Sequence, residues 1–174
     1  MKKLLVLIPL FIIENVLAFE NIGDYKKLNF VEYLDYPGLR IIDLVDRTDS
    51  PYFFIKENTP FCKSGNYYGY VENGTKKRAT FAICTRSIYF SHPFDLGEYI
   101  NYTLRHEAVH AAQFCKGGDY SLGVEKWRFE GYPKRMVKNY YTNLSRTEEL
   151  MELEAFALEN DPYFIESSVR RFCF

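Results

Sequence analysis

The sequence predicts an α+β fold, on two observations. Apolar residues follow a strand-like pattern up to about residue 95 and a helical pattern beyond it. Turn residues cut the first part into short pieces, whereas helix caps punctuate the second. Four cysteines in 174 residues add the expectation of a covalently stapled domain.

The chain opens with Lys2 and Lys3, an apolar run over 4–13, and small residues at Val16-Leu17-Ala18. This is the pattern of an export signal cleaved after Ala18, and the run is too short to cross a bilayer. The remainder, 19–174, fits a single domain. Residues 39–45 and 52–55 are β-branched or aromatic and are separated by Asp49-Ser50-Pro51, which predicts two strands. Residues 67–72 and 78–85 predict a hairpin turning at Asn73-Gly74, and 87–90 a further short strand stopped by Pro93.

From 96 to 115, Ile100, Leu104, Ala108, Ala111 and Cys115 recur at intervals of three and four, the spacing of a buried helix stripe. Gly117 is placed to end that helix. Short helices are expected over 123–130 and 133–141, the latter with Pro133 in its first turn. Ser145-Arg146-Thr147-Glu148 predicts a capping box that opens a helix ending at Asn160-Asp161-Pro162.

In an exported protein, Cys62, Cys84, Cys115 and Cys173 read as two disulfides, with three possible connectivities. The pairing Cys62–Cys84 and Cys115–Cys173 is expected, because the second bridge would clamp the C-terminus to the end of the 96–115 helix. Their wide spacing argues against a cysteine metal site. A net charge of −1 with no basic stripe gives no reason to expect nucleic acid, and a monomer is expected. Sequons at Asn73, Asn101 and Asn143 matter only in a eukaryotic secretory pathway.

The chemistry is concentrated in His106-Glu107-Ala108-Val109-His110, an H-E-x-x-H sequence. On a helix, residues four apart share a face, so both imidazoles can reach one zinc ion. Glu107 then stands beside the metal as general base on its bound water. A catalytic zinc takes a third protein ligand, and no histidine follows His110. The acidic helix after Ser145 is the expected source: Glu154 is the residue of choice, at the edge of a stripe formed by Leu150, Leu153 and Ala157. Glu149 and Glu152 are its alternatives. Glu148 and Glu149 are expected in the first turn for capping and dipole reasons, and Glu152 and Glu159 nearer the solvent face.

His106 to Gln113 resembles the H-E-x-x-H-x-x-Q form of small metallopeptidase-like families, and Glu152-Leu153-Glu154-Ala155-Phe156-Ala157 resembles their downstream helix. Over roughly 80–160 the chain is thus similar to zincins of the gluzincin kind. That resemblance implies a zincin-like fold, in which the H-E-x-x-H helix packs against a later helix that supplies the third ligand. It also implies a secreted zinc-dependent metallopeptidase in which His106, His110 and Glu154 hold Zn²⁺ and Glu107 activates water against a peptide substrate. A strand beside the cleft, here 87–90, would pair with an extended peptide. Tyr132, Tyr163 or His92 would stabilise the oxyanion. Phe156 stands where related families carry an aspartate, so the groups that orient the histidines are left unassigned. The alternative is a disulfide-stapled, zincin-like binding or inhibitory module that does not cleave.

Overall fold

A computed structural model of the chain describes residues 29–64, 67–75, 77–117 and 121–174. The export signal expected over 1–18 lies outside the described residues. Among them no helix is long and apolar enough to cross a membrane.

The fold is mixed α+β. Three strands, β1 (Tyr52–Glu57), β2 (Gly69–Thr75) and β3 (Arg78–Ile83), form a sheet in the order β1–β3–β2. Strand β3 runs parallel to β1, with Tyr52 opposite Arg78, and antiparallel to β2, with Gly69 opposite Ile83. As the central strand it is mostly buried, whereas β1 alternates between buried and more exposed positions. The expected hairpin is present, but its turn is displaced. Asn73 and Gly74 lie within β2, where the register shifts between Asn73 and Thr75.

Seven helices complete the described fold: α1 (Tyr36–Asp46), α2 (Pro60–Ser64), α3 (Thr85–Ser91), α4 (Leu96–Lys116), α5 (Tyr132–Tyr140), α6 (Arg146–Leu158) and α7 (Pro162–Cys173). Two of them replace expected strands. Residues 39–45 belong to α1, where Ile41, Ile42, Leu44 and Val45 are buried while Arg40 and Asp43 are exposed. That is a helical period, and it is set going by Asp35, whose carboxylate accepts from the backbone N–H of Gly38 at 2.8 Å, with Pro37 in the first turn. The β-branched composition of the segment concealed this.

Residues 87–90 belong to α3, and the cause is not local. The Asn58 side chain accepts from the backbone N–H of Arg86 at 2.9 Å and donates to the Thr85 hydroxyl at 2.6 Å. Thr85 donates in turn to Glu57 at 2.6 Å. The start of α3 is therefore held by residues 27 or 28 positions away. With this helix in place, the strand expected to pair with substrate does not exist.

Helix α4 is the axis of the molecule. It packs against β2 and β3, α1, α6 and α7, and its stripe of Ile100, Leu104, Ala108 and Ala111 is fully buried. Asn101 is buried too. Its amide donates to the carbonyls of Tyr33 and Gly97 and accepts from the Asp35 N–H, so in the fold this asparagine joins the chain before α1 to α4. Helix α4 ends where expected, at Gly117 with φ +64°. The 123–130 helix is reduced to a 3-10 turn, Lys126–Phe129. Ser145 and Glu148 form the capping box that opens α6.

Both disulfides pair as expected. Cys62–Cys84 links α2 to the end of β3, and Cys115–Cys173 joins the last turns of α4 and α7. All four cysteines are used. Helix α7, capped by Asp161, packs on α4 and α1 and buries Ile165 and Val169; it has no counterpart among the elements expected from sequence.

Candidate metal centre

His106 and His110 stand one turn apart in the buried stretch of α4, and their Nε2 atoms lie 3.2 Å from each other. Glu152 of α6 completes the group: its carboxylate oxygens are 3.4 Å from His106 Nε2 and 3.5 Å from His110 Nε2. Among the described residues this is the cluster of histidine and carboxylate groups able to share a metal ion, with one ligand atom from each within 4.8 Å of the others.

Glu154 does not join them. Its carboxylate accepts from the Leu122 N–H at 2.9 Å, the Ser121 hydroxyl at 2.9 Å and the Gln113 amide at 3.1 Å. The expected phase of α6 is wrong. Leu150, Leu153 and Ala157, from which the core stripe was drawn, are only half-buried, whereas Met151, Glu152, Glu154, Ala155, Phe156 and Leu158 are buried. The helix is enclosed on more than one side, so leucine positions do not identify the face toward α4. Residues 152 and 154 are about 200° apart around the axis, and Glu152 has the angle that meets the histidines.

The outer ring nitrogens are also engaged. His106 Nδ1 lies 3.2 Å from Glu159, whose other oxygen accepts from the Tyr132 hydroxyl at 2.8 Å. His110 Nδ1 lies 2.8 Å from Gln113 Oε1. Glu159 and Gln113 are thus the histidine-orienting groups that the sequence left unassigned, and Glu152 and Glu159, both expected nearer the solvent face, are buried. Both partners offer acceptor oxygens, so both Nδ1 atoms carry protons and the neutral rings turn their Nε2 lone pairs inward. Two lone pairs and a carboxylate then converge with no proton to share. Such an arrangement calls for a cation, and the nitrogen and carboxylate donors fit a divalent transition metal.

In the metal-free chain a proton fills that role. Burial opposes charge on His106, but Glu152 and Glu159 outweigh it and push its pKa up to about 10. Burial likewise works against ionised Glu152, yet the two histidines hold its pKa down to about 2.

Glu107 is fully buried, and neither carboxylate oxygen finds a hydrogen-bond partner among the described residues. Burial raises its pKa to about 7 against the pull of the two histidines. A carboxyl near neutrality can both take and return a proton. Strand β2 lies directly against it. A Cβ on Gly69 would come within 2.7 Å of Thr103 and 2.8 Å of Glu107 Cγ, so this position needs glycine.

None of the three hydroxyl or imidazole candidates faces the cluster with a free group. Tyr132 is bonded to Glu159. Tyr163 is 77% exposed on α7. His92 stacks on Tyr99 and bonds to the Tyr68 hydroxyl at 2.8 Å. The tyrosine the sequence did not single out is Tyr141, after α5. Its hydroxyl is buried beside the Glu152 carboxylate. Burial and the Glu152 carboxylate push its pKa well above the usual value, so it stays protonated as a donor. No local pattern marks it among 15 tyrosines.

The chain belongs to the family described as a domain of unknown function, DUF8637, which matches residues 30–174 and so includes the sheet, the seven helices and the whole cluster. No curated protein and no solved structure matches it.

Proposed function

We propose that the chain is a zinc-dependent metallopeptidase of the zincin kind, exported from the cytoplasm, in which His106, His110 and Glu152 hold the ion. The observation that carries this reading is the convergence of two lone pairs and a carboxylate beside a second, unpartnered buried carboxylate, Glu107. Zn²⁺ at such a site supplies Lewis acidity toward water and a substrate carbonyl. Glu107 takes the proton of the attacking water and returns it to the departing nitrogen. The Tyr141 hydroxyl donates to the carbonyl oxygen as negative charge develops there. Edge strand β2, whose first residue touches Glu107, offers backbone groups along which an extended peptide can lie. Two disulfides fit an oxidising compartment.

One observation favours the second reading, a binding or inhibitory module that does not cleave. His106, Glu107, His110 and Glu152 are all at most 3% exposed, so a peptide reaches them only if the site opens. Zinc content and peptide cleavage, measured for wild type, His110→Ala and Glu107→Gln, separate the two. The enzyme reading expects about one zinc per chain, lost in His110→Ala. It expects Glu107→Gln to keep zinc while cleavage falls by about 10²–10⁴. Zinc binding without any cleavage supports the binding module, and a wild type that takes up no zinc under metal-replete conditions ends the enzyme reading.

A further inference from the structure

We propose that Glu154 is a positioning residue for His110: acting through Gln113, it fixes which ring nitrogen carries the proton and so keeps Nε2 free for a cation. The inference rests on the metal reading above only for its final consequence.

Gln113 is fully buried, and both hydrogens of its amide nitrogen are committed. They go to the Met151 carbonyl and to Glu154 Oε2, each at 3.1 Å. Both of these are pure acceptors, so a reversed amide would set its oxygen against two oxygens. Oε1 is therefore the atom presented to His110 Nδ1 at 2.8 Å. An oxygen there bonds only to a protonated Nδ1, and a neutral imidazole with its proton on Nδ1 has a lone pair on Nε2. That lone pair faces His106 and Glu152.

The surroundings of Glu154 turn donors toward it. The donors from Leu122, Ser121 and Gln113 are all neutral, and they arrive from a loop and from α4. This explains a buried carboxylate that touches neither histidine. In Glu154→Gln, one orientation of the new amide offers an N–H to Gln113 and favours its reversal. Gln113 then points an N–H at His110 Nδ1, and the proton moves to Nε2, on the cation side. The Met151 carbonyl resists this reversal, so two tautomers exchange.

The test is long-range ¹H–¹⁵N NMR of the imidazoles in metal-free protein at mildly alkaline pH, feasible with three histidines in the chain, together with zinc titration. Wild type should show His110 wholly as the Nδ1–H tautomer. Glu154→Gln should show a mixture and bind zinc about 10–100-fold more weakly. Ser121→Ala, which removes a Glu154 partner without touching Gln113, should keep the wild-type tautomer. A proton on Nε2 in wild type, or a pure Nδ1–H form with wild-type affinity in Glu154→Gln, overturns the proposal. If Glu154→Gln does not fold, Gln113→Leu decides: a pure Nδ1–H form there overturns it, and a mixture supports it. If tautomers shift as stated in a protein that takes no zinc, the metal reading fails and the role of Glu154 stands.

Discussion

Glu152 and Glu154 are the same residue type, two positions apart on one helix, and both are buried. On its side of α6, Glu152 faces two imidazoles, its oxygens 3.4 and 3.5 Å from their Nε2 atoms. On its own side, Glu154 is satisfied by backbone, hydroxyl and amide donors. Burial therefore does not distinguish a ligand from a brace. The partners do: a carboxylate with neutral donors has its charge solvated by the protein, and one among lone pairs is free to take a cation.

The sharpest way to break this comparison is Glu152→Ala, which should abolish zinc uptake and with it all peptide cleavage, read by metal analysis and a peptide assay. Removing Cys115–Cys173 as the double serine variant comes next. It frees a 58-residue loop and should cost about 4 kcal/mol in denaturant unfolding, acting on the scaffold that carries both carboxylates.

A smaller effect comes from pH. In metal-free protein His106 is raised from 6.5 to about 10. Its contribution is complete below the ordinary value and is lost as pH rises through about 10. Glu152 is lowered from 4.5 to about 2, so its contribution is present above 4.5 and is lost as pH falls through about 2. The raised carboxyl of Glu107 costs stability as pH climbs from 4.5 toward about 7, so thermal melting should peak at roughly pH 5. Glu152→Gln should shrink the alkaline loss, because one of the two acceptors raising His106 is gone. The smallest effect belongs to Ser145→Ala, which removes the α6 cap that precedes both carboxylates and should cost about 1 kcal/mol.

Legibility in the sequence obeys one rule: features set by near neighbours were readable. The stripe and glycine stop of α4, the capping box of α6 and the H-E-x-x-H face each depend on residues within a turn or two. The disulfide pairing is legible because the end of α4 is. The start of α3 was hidden because Asn58 and Glu57 hold it from another element. The choice of Glu152 over Glu154 was hidden because α6 is enclosed on several sides and its leucines do not mark the face toward α4. Tyr141 was hidden because only the fold brings it to Glu152. Glu159 and Gln113, by contrast, could have been suspected. Glu159 lies seven residues, about two turns, after Glu152, and Gln113 lies three after His110.

Glu152 holds the ion, on this account, and Glu154 holds the holder. Zinc stoichiometry and affinity of the matched pair Glu152→Gln and Glu154→Gln, measured beside wild type, test this most directly. The account predicts about one zinc per wild-type chain, no stable zinc in Glu152→Gln, and a full but about 10–100-fold weaker site in Glu154→Gln. Zinc retained at wild-type strength in Glu152→Gln and lost from Glu154→Gln would contradict it.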